Sequence, residues 1–267
     1  MAGLFQVLYG KPDGTFRKAE VLKGTDGEPL IIPIKGKEQM IENICTRPFA
    51  VDWDGDGRLD LVVGNFAGSF YWFKGENKGK FLPKPEAIMT GKDPLRINGH
   101  HSDPFVIDWD GDGDLNLLSG STNGGVQWAE NRAGKGKLPE LRPFEALIKP
   151  GRSIAYGQLV NEDEITGPTT STRIWVADLN GDGKPDVLVG DSVTLTAPAK
   201  GVSMEEFKKK HAAWQEAVAK VSKELSSETA DAAKRTKANE EFSKLYSQRN
   251  EFMKEDRTGF VWLYLQK

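Results

Sequence analysis

One pattern of apolar and polar positions recurs three times along the chain. It reads Pro48-Phe-Ala-Val-Asp-Trp-Asp-Gly-Asp-Gly-Arg-Leu-Asp-Leu-Val-Val-Gly64, then Pro104-Phe-Val-Ile-Asp-Trp-Asp-Gly-Asp-Gly-Asp-Leu-Asn-Leu-Leu-Ser-Gly120, then Ile174-Trp-Val-Ala-Asp-Leu-Asn-Gly-Asp-Gly-Lys-Pro-Asp-Val-Leu-Val-Gly190. Each copy is a short apolar run, an acidic polar turn and a second apolar run, which predicts two β-strands joined by a tight loop. Aromatic and β-branched runs follow: Gly68-Ser-Phe-Tyr-Trp-Phe73 with Lys80-Phe-Leu-Pro83, and Gly125-Val-Gln-Trp-Ala129 with Leu138-Pro139. They predict a third and a fourth strand in each unit. The first aspartates, Asp52, Asp108 and Asp178, are 56 and 70 residues apart, a period that suits a four-stranded blade better than a two-helix repeat.

The chain ends fit the same frame. Ala2–Leu8 aligns with Ala67–Phe73 as a third strand, Thr15–Leu22 follows as a fourth, and Thr258–Tyr264 reads as the third strand of the last unit. Residues 1–200 are therefore expected to form the blades, the first lacking strands 1 and 2, and residues 257–267 the final strand. Between them the period changes from two to that of a helix. Ser203-Met-Glu-Glu206 is a capping box. Phe207, His211, Trp214, Val218, Val221 and Leu225 share one helical face, Ser226-Ser227 breaks it, and Ala238, Phe242, Leu245 and Phe252 continue a stripe. Residues 201–256 are expected to be an inserted helical hairpin whose stripe is its own seam.

Composition narrows the picture. The 267 residues are 38% apolar and 28% charged, with a net charge of −3. That is enough apolar content for a core, and no run reaches the roughly 18 apolar residues of a membrane span. The weak negative charge argues against nucleic acid as a partner. Cys45 is alone, so no disulfide forms within the chain. The first residues carry no basic region and no long apolar stretch, so no signal peptide is visible. An extracellular, periplasmic or cell-surface location is expected if one has been removed upstream.

The acidic turns carry the chemistry. Asp52, Asp54, Asp56 and Asp60 stand at loop positions 1, 3, 5 and 9, and the Arg58 carbonyl stands at position 7. The second loop offers Asp108, Asp110, Asp112, the Asp114 carbonyl and Asn116; the third offers Asp178, Asn180, Asp182, the Lys184 carbonyl and Asp186. Alternating oxygen donors around a tight turn, with Gly at position 6, suit Ca2+, a hard cation taking six to eight oxygens. Three calcium sites are expected. An EF-hand would need a bidentate Glu at position 12, where Val63, Ser119 and Val189 stand, and flanking helices in place of these strand-like runs.

The motif Asp-x-Asp-Gly-Asp-Gly-x-x-Asp between Phe-Ala-Val and Leu-Val-Val-Gly resembles the FG-GAP/VCBS repeat, found also in the integrin α-chain propeller. The resemblance covers roughly residues 1–200 and 257–267. It implies an all-β fold, a β-propeller of four-stranded antiparallel blades with calcium in the strand 1–2 loops. It does not imply one activity, since the family includes adhesion modules, lectins and propellers attached to enzymes. Two whole and two partial units are fewer than the family's usual seven blades, so a hybrid blade formed within the chain or across a homo-oligomer is one expectation.

The function expected is a non-catalytic binding or adhesion module with structural calcium. Its ligand, a carbohydrate or a protein, is expected on the face opposite the acidic loops, beside the hairpin and the connectors 84–103 and 140–173. Those connectors hold Arg96, His100 and His101, and Arg152, Tyr156, Glu162, Asp163 and Glu164. The alternative is a polysaccharide lyase or hydrolase using His100, His101 or the 162–164 carboxylates. Against it, a solvated acidic loop and a structural histidine pair are the commoner uses of such residues. Trp72, Trp128, Trp175 and Trp262 lie within strands and are expected to be packing residues.

Overall fold

The computed structural model describes residues 3–34, 36, 42–154, 158–226 and 232–267. Ala2, Tyr156 and Ser227 of the sequence reading lie outside them. The described chain is mostly β, in antiparallel sheets, with two helices. It divides into two compact units, the first of residues 1–153, 166–193 and 259–267, the second of residues 154–165 and 194–258.

Three four-stranded sheets carry the acidic loops. The first sheet runs Arg47–Val51, Asp60–Gly64, Phe70–Phe73, Glu86–Ala87, and the second runs Asp103–Ile107, Asn116–Gly120, Val126–Ala129, Glu145–Ile148. The third runs Thr170–Ala177, Asp186–Pro198, Met253–Thr258, with Val261–Tyr264 also pairing with Asp186–Pro198. Register is equivalent in all three: Val51 faces Asp60, Ile107 faces Asn116 and Ala177 faces Asp186 across the loop. A shorter two-stranded sheet, Gln6–Val7 with Glu20–Val21, precedes them.

The second strands read as unbroken apolar runs because both faces are covered. Leu61 and Val63 point into a cluster with Phe5, Leu30, Ile32, Phe73 and Phe81, whereas Val62 points the other way, into a cluster with Phe70, Val106, Leu117 and Ala129. In the second sheet Leu117 joins that cluster, and its neighbour Leu118 packs with Val126, Val176, Val187 and Val189 of the next interface. Side chains one residue apart on a strand face opposite ways, so the first two sheets each pack on both faces, while the third packs on the second through Val187 and Val189. The first strands lie side by side through Phe49, Phe105 and Trp175, with ring centroids 4.8 and 5.5 Å apart.

A hydroxyl fastens each junction. Ser102, just before the second sheet, accepts from the Asn65 N–H at 2.7 Å and donates to the Ser69 carbonyl at 2.8 Å. Thr172, near the start of the third sheet's first strand, does the same with the Ser121 N–H at 2.9 Å and the Gly125 carbonyl at 2.8 Å. Only glycine fits opposite: a Cβ on Gly64 or Gly120 would lie 2.3 Å from the Ser102 or Thr172 carbonyl oxygen.

The fourth strands differ from expectation. Lys80–Phe81 pairs with Gly75–Glu76 in a local hairpin, leaving Glu86–Ala87 as the fourth strand. Residues 138–139 form no strand, and Glu145–Ile148 takes that place. Local pairing across the Asn77–Gly79 turn satisfies Lys80–Phe81 before the sheet edge can. Trp72 is buried, and Trp128 and Trp262 pack in the core, but Trp175 is 60% exposed and is a surface residue, touching Phe105 edge-on.

In the second unit, α1 (Met204–Leu225) starts on Ser203, whose hydroxyl accepts from the Glu206 N–H at 3.2 Å. The second helix, α2 (Ala232–Gln248), packs on it. Phe207, Trp214, Phe252 and Met253 form the core with Leu159, Val218 and Leu245 around them, and the Trp214 indole donates to the Leu245 carbonyl at 3.0 Å. The aromatic stripe is the unit's own seam. Phe252 follows α2 rather than lying on it.

Candidate metal centres

Each acidic loop is shaped by its own side chains. Positions 4 and 6 are glycines with φ between +74° and +92° (Gly55 and Gly57, Gly111 and Gly113, Gly181 and Gly183), a region that strains other residues. The position-1 aspartate accepts the position-6 N–H: Asp52 from Gly57 at 3.0 Å, Asp108 from Gly113 at 3.0 Å, Asp178 from Gly183 at 2.9 Å. The position-5 aspartate accepts the position-7 N–H: Asp56 from Arg58, Asp112 from Asp114, Asp182 from Lys184. The position-9 side chain is fully buried and accepts the position-2 N–H: Asp60 from Trp53, Asn116 from Trp109, Asp186 from Leu179. Trp53 and Trp109, at position 2, are themselves buried, anchoring the loops on the core.

This geometry gathers oxygens. Ligand atoms of Asp52, Asp54 and Asp60 all lie within 4.8 Å of one another, as do those of Asp108, Asp110 and Asp112. These two acidic clusters could hold a metal ion. Asp52 Oδ1 is buried without a hydrogen-bond partner, which a cation would satisfy. An all-oxygen donor set suits a hard cation. In the third loop Asn180 replaces the second carboxylate, and its Nδ2 donates to Asp182 Oδ2 at 3.0 Å.

The loops differ in charge balance. Lys74 pairs with Asp54 and reaches Asp56 at 3.0 Å, and Arg58 also pairs with Asp56. The Lys74 hydrogen bond is the main reason the Asp56 carboxyl is held below its usual range. No described ion pair reaches the second loop. Burial pushes the Asp110 carboxyl up, and the neighbouring Asp112 and Asp108 add to it; Asp114 is raised by burial as well. Burial likewise raises Asp60. In the third loop the Lys184 N–H and the Asn180 amide lower Asp182.

The model of the FG-GAP-like repeat matches residues 52–119 and 108–189, which together span just over half of the chain. The chain belongs to the FG-GAP-like repeat family. The matched repeats begin on Asp52 and Asp108, the first residues of the first two acidic loops, and run through the third loop to Val189. No curated protein and no solved structure matches the chain.

Arg96, His100, His101 and Glu164, also singled out from the sequence, make structural contacts. Arg96 pairs with buried Glu42, which also accepts from the Tyr71 hydroxyl; burial, then Glu42, raises the Tyr71 pKa. His100 stacks on Phe66 at 5.6 Å, and His101 meets the same ring edge-on at 4.6 Å. In the second unit Glu162–Glu164 is one turn of 3-10 helix, where Glu164 caps the Asn161 N–H at 2.8 Å. The Ser102 and Thr172 hydroxyls and the Lys74 counter-charge escaped the sequence reading. A hydroxyl residue six positions before each first aspartate (Thr46, Ser102, Thr172) was the available signal.

Proposed function

We propose that this chain is a calcium-stabilised β-propeller module that binds a carbohydrate or protein ligand without catalysis. The observation that carries it is the repetition of one loop design, with hydrogen bonds repeated position by position, in three successive sheets of an FG-GAP-like repeat protein. The first two sheets bury both faces against their neighbours and each first strand lies beside the next, an arrangement that radial repetition extends into blades. Calcium at each loop neutralises carboxylates that repel one another and fixes the turn between the two innermost strands. In the first loop Asp52, Asp54, Asp56 and Asp60 would hold it, in the second Asp108, Asp110, Asp112 and Asn116, and in the third Asp178, Asn180, Asp182 and Asp186. The main-chain carbonyls of Arg58, Asp114 and Lys184 complete the respective sets.

Calorimetric titration of the chelator-treated chain with CaCl2 tests the reading. Three bound calcium ions per chain support it; binding no stronger than that of a variant carrying Asn at Asp52, Asp108 and Asp178 contradicts it.

A further inference from the structure

At the end away from its acidic loop, the first strand of each sheet carries a charged residue. These are Arg47, Asp103 and Arg173, in register with Gly64, Gly120 and Gly190. The contacts of Phe49, Phe105 and Trp175, two residues further along, draw the three together. Asp103 Oδ1 lies 3.9 Å from Arg47 Nε, and its Oδ2 lies 3.9 Å from Arg173 Nε. Both distances are too long for hydrogen bonds. One carboxylate thus sits between two guanidiniums and fills the donor fork of neither. Arg47 gives Nη1 to the His101 carbonyl at 3.0 Å, and Arg173 gives Nη1 to the Thr172 carbonyl at 3.4 Å.

The cluster carries one uncompensated positive charge in a partly desolvated place. Burial, then the Arg173 charge, lowers the Arg47 pKa, while burial raises that of Asp103. Planar guanidinium forks with unfilled donors match the two oxygens of a carboxylate or sulfate. His101 borders the cluster with a left-handed backbone (φ +60°), pinned by its N–H to the Phe66 carbonyl at 3.0 Å and by Arg47 on its own carbonyl. Burial, Arg47 and Arg173 lower its pKa, favouring the neutral imidazole, which donates one hydrogen bond and accepts another.

We propose that Arg47 and Arg173 form a binding site for the carboxylate or sulfate group of an acidic ligand, with Asp103 as its internal competitor. This deepens the binding reading above and rests on it. The full chain, calcium-loaded, is titrated with galacturonate, glucose 6-sulfate and neutral galactose at fixed ionic strength, followed by NMR chemical shifts. At least one acidic sugar binds and galactose does not; which acid binds tells carboxylate from sulfate. Arg173→Gln, at a half-exposed side chain, weakens binding at least about tenfold. Asp103→Asn strengthens it by about three- to tenfold, because the competing anion is gone. Binding equal in all variants, or no binding of either acid below about 100 mM, overturns the proposal. Melting with and without calcium, run on the same samples, scores the calcium reading separately. A chain without a calcium response still gives a readable sugar titration.

Discussion

At loop position 9 a single buried side chain joins two parts of a sheet. Asp60 accepts from Trp53 in the loop and from Gly75 beyond the third strand, and Asp186 accepts from Leu179 and from Gln266 at the matching place. Asn131 holds that register position in the second sheet, but position 9 there is Asn116, whose Nδ2 is buried without a partner. Asn116→Asp is expected to restore the second acceptor and to tighten calcium at this loop; calorimetry should show the tightening, with an apo chain no more stable than before. Lys74 acts the opposite way in the first loop, competing with a metal ion for Asp54 and Asp56. Lys74→Gln should therefore raise calcium affinity at the first loop by about three- to tenfold, read in the same titration; an unchanged affinity would show that Lys74 is no competitor. Asp110 gives a pH signature. Its carboxyl is raised in the folded chain, so its contribution to stability is complete below the ordinary carboxylate pKa and is lost as pH rises through the raised value. In chelator, wild-type stability minus that of Asp110→Asn should fall as pH rises across that window.

The strands flanking each loop were legible because they rest on local spacing. Alternation, a glycine at position 6 and the doubly apolar Leu61–Val63 run all lie within a few residues of one another. The fourth strands were not legible. Glu86–Ala87 is two residues long with no pattern of its own, while Lys80-Phe81-Leu82 looks like a strand and is claimed by its local hairpin. The junction hydroxyls are harder to read for another reason: Ser102 and Thr172 meet partners 37 and 51 residues away, and their shared spacing from the acidic loops marks the positions without saying what they touch. Thr172→Val keeps the shape and removes the hydroxyl, leaving the buried Ser121 N–H unpaired. The expected loss is about 1–3 kcal/mol, measured by chemical denaturation, and a neutral result would remove the junction from the account. Trp175 shows the limit of reading strands by composition. Its strand setting predicts a packing residue, but its face of the first strand of the third sheet is open.

For the whole chain, loops and sheets are coupled: each acidic loop closes the first two strands of a sheet, and those strands carry the interfaces to the neighbouring sheets. A cation that binds only the folded loop stabilises the fold by mass action, in proportion to the logarithm of its concentration over its dissociation constant. Without it, the second loop holds four aspartates with no described ion pair to offset them. The non-catalytic reading draws its support from where the polar residues sit, with His100 and His101 packed on Phe66 and Glu164 capping its own turn. The most direct measurement is thermal unfolding of the full chain in chelator and then in increasing CaCl2. The account predicts a melting temperature that climbs with calcium, by a stabilisation of about 2.7 kcal/mol per site at a hundredfold excess over the dissociation constant, and a rise that is reduced in Asp52→Asn and in Asp108→Asn. A melting temperature that calcium leaves unchanged would contradict it.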